Sequence, residues 1–157
     1  HDEPPGSAAG FTLPLPWSPW LLDDDGEVLR LAVERELLRY GAFAVALDVD
    51  AWGARLTITT ADGRVAPTDD VRRALRELAD RPQPPRIVEG LRAAAAARRA
   101  RGGSAIGDGA RRAALRVHWF GGAVATPAGD LGVRLRAALL PEALGSLRAA
   151  TAAPPAP

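Results

Sequence analysis

Two carboxylates, Asp48 and Asp50, stand two residues apart at the end of an apolar run. On a β-strand, positions i and i+2 share a face, so both acids project to one side, as in sites that hold Mg²⁺ for phosphoryl transfer. That chemistry would make the chain a small metal-dependent enzyme; the plainer reading is a pair of solvent-facing aspartates at a strand end. His118 is the one internal histidine, and general-base work there needs a nucleophile or an acid beside it. Ser104 and Ser146 are available, but neither lies in a nucleophile-elbow pattern. The Gly-rich run from Gly102 to Gly109 lacks the preceding apolar strand that a phosphate cradle requires. Cysteine is absent, which removes thiolate nucleophiles, disulfides and Cys-bearing zinc sites. No catalytic set and no cofactor motif emerge.

Asp48-Val49-Asp50 also resembles the first motif of haloacid-dehalogenase-like phosphatases, and Ala105-Ile106-Gly107-Asp108-Gly109 loosely resembles their late Gly-Asp motif. Trp52 stands where that family carries a small Thr or Val, however, and no apolar strand leads into Gly107. A chain of 157 residues also leaves little room for the parallel α/β core. The match is read as accidental.

All 20 basic residues are Arg, and both Lys and Asn are absent, a bias that a GC-rich genome produces. Against 19 acids the net charge is +1, so the molecule has no overall field with which to steer a polyanion. Any basic function must be local. The densest block is Arg98, Arg99, Arg101, Arg111 and Arg112, whose guanidinium groups suit bidentate phosphate contacts and make nucleic-acid or polyphosphate binding the alternative function. No aromatic is interleaved there for base stacking.

Three tryptophans lie outside the periodic apolar segments: Trp17 and Trp20 among prolines, and Trp52 in a short connection. They are the candidate partner-binding residues. The leading expectation is therefore a non-enzymatic protein-protein interaction or assembly module, engaging a protein partner or a second copy of itself.

The elements that must position these residues follow from periodicity. Residues 1–22 read as an extended Pro-rich arm, because Pro14, Pro16 and Pro19 fix their own φ and bias the preceding residues away from helix. The longest uncharged stretch, Pro4 to Leu22, carries five prolines, so no membrane insertion is expected from these residues. After the acidic run from Asp23 to Glu27, Val28, Leu31, Ala32 and Leu38 recur at helical spacing, with Gly41 as a stop. Ala42 to Asp50 and Arg55 to Thr60 alternate with period two and form a hairpin.

A helix follows Pro67, with Thr68 as its cap and Val71, Ala74, Leu75 and Leu78 at core spacing. An Ala-rich helix covers Ile87 to Arg101, and 102–112 reads as a flexible Gly/Arg-rich linker. Leu115, Val117 and Trp119, and later Leu131, Val133 and Leu135, alternate as two further strands, before a helix opening at Pro141. Residues 151–157 form a mobile tail. The expected architecture is one α+β domain over 23–150: a two-layer, four-stranded, mainly antiparallel sheet with helices on one face. The order also suggests a helix-strand-strand-helix pseudo-repeat over 27–80 and 87–150.

Overall fold

The computed structural model describes residues 7–16, 18–22, 24–81, 83–101, 114, 115, 117, 118 and 131–149. Strands β1 (Ser7–Ala8) and β2 (Gly10–Leu15) lead into a 3₁₀ turn at Pro19–Leu22 and helix α1 (Asp24–Leu37). The hairpin β3 (Phe43–Asp50) and β4 (Gly53–Thr60) follows, then β5 (Ala66–Pro67), α2 (Thr68–Asp80) and α3 (Pro85–Arg101). Helices α4 (Leu131–Ala138) and α5 (Pro141–Gly145) precede the short strand β6 (Arg148–Ala149).

The main sheet has four strands in the order β3-β4-β2-β6, all antiparallel, while β1 pairs separately with β5. This is the expected α+β class, reached by a different route. Alternation buries Phe11, Leu13 and Leu15 on β2, Leu56 and Ile58 on β4, and Phe43 and Val45 on β3, all on one face. Against that face pack Leu29 and Val33 of α1, Leu75 of α2 and Leu135 of α4, while α3 lies on α1 and buries Ala95. The other face carries Thr12, Ala44, Ala46, Asp48, Asp50, Arg55, Thr57 and Thr59, all half-buried or exposed.

Segment 10–15, expected within the arm 1–22, is extended but belongs to the sheet interior. Its prolines permit this. The Ala9 carbonyl accepts from the Thr60 N–H at 2.8 Å, so Phe11, Leu13 and Leu15 direct their backbone groups toward β4. Pro14 therefore turns its donor-less nitrogen to the opposite side, where β6 reaches only Phe11 and Thr12.

The two strands expected in the second half are not what completes the sheet, and the pseudo-repeat is not present in the described residues. Leu131 to Leu135 lies in helix α4, because Leu135, Ala138 and Leu139 are buried with helical spacing while Val133 is 49% exposed. Residues 114, 115, 117 and 118 are helical as well. Helix α2 opens at Thr68 itself, with Pro67 in the cap position. The linker 102–112 and the tail 151–157 lie outside the described residues.

Candidate functional site: the hairpin tip

Hairpin β3–β4 turns through Ala51 and Trp52, with Asp50 opposite Gly53. The tight turns usual at this loop length need positive φ at one or both central residues, and no residue other than glycine has positive φ here. Asp50 supplies the missing constraint. Its Oδ1 accepts the N–H groups of Trp52 at 2.8 Å and Gly53 at 3.2 Å, while Oδ2 accepts from Arg55 at 3.0 Å. Gly53, at φ 152°, takes the one strained backbone position. These bonds, led by that from the Trp52 N–H and then by Arg55, hold the Asp50 carboxyl below its ordinary value.

The turn thus fixes the backbone of Trp52 and leaves its indole 89% exposed, the most exposed of the large apolar side chains among the described residues. His118 reaches the same turn: its Nε2 lies 3.1 Å from the Ala51 carbonyl, so that nitrogen carries the proton and donates. Ser146, one of its candidate nucleophiles, instead donates to the Glu142 carbonyl at 3.3 Å, and Ser104 lies outside the described residues.

Asp48 and Asp50 do share the open face, but each is engaged locally. Asp48 accepts from the Thr57 hydroxyl at 2.8 Å, across the hairpin. Among the described residues no group of three or more His, Cys, Asp or Glu side chains is placed to hold a metal ion. The strand bearing the pair is an edge strand of an antiparallel sheet, so the parallel core of the phosphatases it resembles is absent from the main sheet.

The other candidates separate. Trp20 is 5% exposed, so it is a core residue rather than a docking one, and the Arg134 guanidinium lies 5.9 Å from its ring centroid. Arg134 also forms an ion pair with Asp25, which Arg92 approaches at 3.8 Å. Trp17, Arg111 and Arg112 lie outside the described residues. Arg98 is exposed at the end of α3 but sits 3.4 Å from Glu27, and Arg101 is exposed nearby.

No family model, curated protein or solved structure matches the chain. What the tip can do follows from its own chemistry. The exposed indole of Trp52 stands on a turn braced by the Asp50–Arg55 ion pair, an apolar ring beside charged groups. Among the described residues its titratable groups, Asp50, Arg55 and His118, are each engaged in local contacts.

Sequence reasoning missed one feature near the hairpin. Arg30, only 5% exposed, donates to Glu27 at 2.6 Å, to Glu34 at 3.1 Å and to the Val45 carbonyl at 2.9 Å. The i, i+3 and i, i+4 spacing of these charges is visible in the sequence, but the long-range bond to Val45 is not. These contacts raise the Arg30 pKa, through the hydrogen bond with Glu27 first.

Proposed function

We propose that this chain is a non-enzymatic interaction module that docks onto a protein surface through the β3–β4 turn, with Trp52 as the anchor. A second copy of the chain is the first partner to test. One observation carries the reading: a large aromatic side chain stands 89% exposed on a turn whose backbone is already fixed by Asp50. Tryptophan is among the residues most enriched at binding hot spots, and a preorganised anchor loses less conformational freedom on docking. The Arg block gives weaker support to nucleic-acid binding, because Arg98 already faces Glu27.

The test is absolute mass by light scattering after size exclusion, at low and high salt, for the wild type and Trp52→Ala. An assembly that survives high salt and weakens roughly thirtyfold in the variant supports the reading, as loss of about 2 kcal/mol at a hot spot requires. A chain that is monomeric at both salt strengths overturns the homotypic form. An assembly that dissolves with salt and ignores Trp52→Ala overturns the apolar anchor in favour of the arginines.

A further inference from the structure

Helix α3 is the longest helix among the described residues and the least embedded. Helix α1 buries Val28, Leu29, Ala32, Val33 and Leu37, and the 13 residues of α2 bury Val71, Ala74, Leu75, Leu78 and Ala79. In the 17 residues of α3 Ala95 alone is buried, with Ile87, Val88 and Leu91 half-buried. Ala93, Ala94, Ala96, Ala97 and Ala100 are exposed, and a Cβ added at Gly90 would meet nothing within 4 Å. The alanine run serves helix propensity rather than packing. One methyl group and parts of three larger side chains remove little apolar surface from water, so docking contributes far less at α3 than at α1 or α2.

The polar ties of α3 are equally light. Arg92 stands 3.8 Å from Asp25 and Arg98 3.4 Å from Glu27, and both arginine side chains are more than half exposed. Neither acid depends on them, because Asp25 also pairs with Arg134 of α4 and Glu27 with Arg30 at 2.6 Å. When α3 leaves, both arginines enter water and both acids keep a partner, so no charge is stranded in apolar surroundings. The connection from α2 offers a pivot. Arg81 is tied back to Glu36 at 3.4 Å and to Glu77 at 3.5 Å, whereas Pro84, Pro85 and Arg86 beyond it are exposed. The Pro84 carbonyl accepts from the N–H groups of Ile87 and Val88, so the first turn of α3 closes on its own residues. We infer that α3 is a detachable strap: it lifts from α1 as a unit about Pro84 and Pro85, with Arg92 and Arg98 as its latch, while the sheet, α1, α2 and α4 stay folded. Lifting uncovers the strip of α1 on which α3 lies, through an opening local to one element.

Native-state hydrogen exchange of the full chain, read as protection factors, tests the strap. Amides in the interior of α3 should be protected at least about tenfold less than those of α1 and α2. Arg92→Gln combined with Arg98→Gln should lower protection in α3 by a further factor of roughly two to ten, as the loss of two exposed ion pairs implies, and leave α1 and α2 unchanged. Because the chain has no cysteine, a single introduced thiol reports the same opening. Ala95→Cys should react with a thiol reagent at least about ten times faster than Ala74→Cys, at a fully buried position of α2. Equal protection in all three helices of the wild type overturns the inference, since α3 would then open only with the whole fold, as does an Ala95→Cys thiol that reacts no faster than Ala74→Cys. A double variant whose α3 protection is unchanged overturns the latch, and one in which all three helices lose protection together shows that the arginines hold the fold rather than the strap.

Discussion

Replacing Gly26 with Ala sets a gain in helix propensity against a collision, and the distances decide the sign. Gly26 lies in the first turn of α1, and a Cβ there would stand 2.3 Å from the Leu21 carbonyl oxygen, 2.9 Å from its carbon and 3.2 Å from its Cα. All three are backbone atoms of the 3₁₀ turn, where the Leu21 N–H is already bonded to the Ser18 carbonyl at 3.1 Å. No side chain can swing aside, so the turn itself must shift, and with it the buried Trp20, Leu21 and Leu22. Alanine returns at most about 1 kcal/mol of helix propensity, whereas forcing atoms into a packed site costs about 1–3 kcal/mol. A 2.3 Å approach to backbone puts the cost at the upper end of that range, so the net expectation is a loss of about 2 kcal/mol, or a melting temperature lower by roughly 4–8 °C for a chain of this size. Gly90→Ala is the control, because that glycine lies in α3 and a Cβ added there would meet nothing within 4 Å, so propensity alone should stabilise it. Thermal and urea unfolding followed by circular dichroism compares the two. A Gly26→Ala protein as stable as the wild type, or one indistinguishable from Gly90→Ala, refutes the close-approach argument.

Trp52→Ala should leave stability within about 0.5 kcal/mol of wild type in the same unfolding assay, since the side chain buries little surface. Leu56→Ala, at a fully buried position of β4, should cost about 2–5 kcal/mol by urea unfolding. Because the folded-state pKa of Asp50 is held below 3.8, its contribution to the turn is complete above that value and is lost as the pH falls through the lowered pKa. Protection of the Trp52 and Gly53 amides, taken relative to their unstructured exchange rate at each pH, should therefore fall in strong acid but stay constant between pH 5 and 7, and Asp50→Ala should show the low protection at neutral pH. Asp48→Asn should keep the fold and melt close to wild type, because the amide oxygen can still accept from Thr57.

The hairpin and helices α1 and α2 were legible because their apolar residues recur with one period only, and α3 through its run of alanines. Phe43 and Val45 fit period two, and Val71, Ala74, Leu75 and Leu78 fit a helix and nothing else. In β2 the same alternation of Phe11, Leu13 and Leu15 was obscured by Pro14 and Pro16, whose cost depends on which way the strand's backbone groups point. That direction is a property of the neighbouring strand, not of the local sequence. Leu131, Val133 and Leu135 satisfied two periods at once, and tertiary packing chose the helix by burying Leu135, Ala138 and Leu139. Of the candidate site, Trp52 was legible as an aromatic in a connection, and Trp20 carried the same signal yet lies in the core. Composition cannot separate the two. The difference arises because Trp52 sits on a two-residue turn that leaves its indole exposed, whereas Trp20 lies in the 3₁₀ turn that packs on α1, with the Arg134 side chain of α4 near its ring.

The strand order has a consequence for the time course of folding. Hairpin β3–β4 closes over a two-residue turn and can form on the microsecond scale by itself. Strand β2 precedes β4 in the sequence, so it has no partner until β4 is made, and Arg148 on β6 must return to Thr12 from far along the chain. The apolar row Phe11, Leu13 and Leu15 is thus made before either strand that encloses it. Refolding should be limited by closure of β2 onto β4 rather than by hairpin formation, so substitutions in β2 should slow folding, whereas those in β6, which docks last, should speed unfolding and leave the folding rate nearly unchanged.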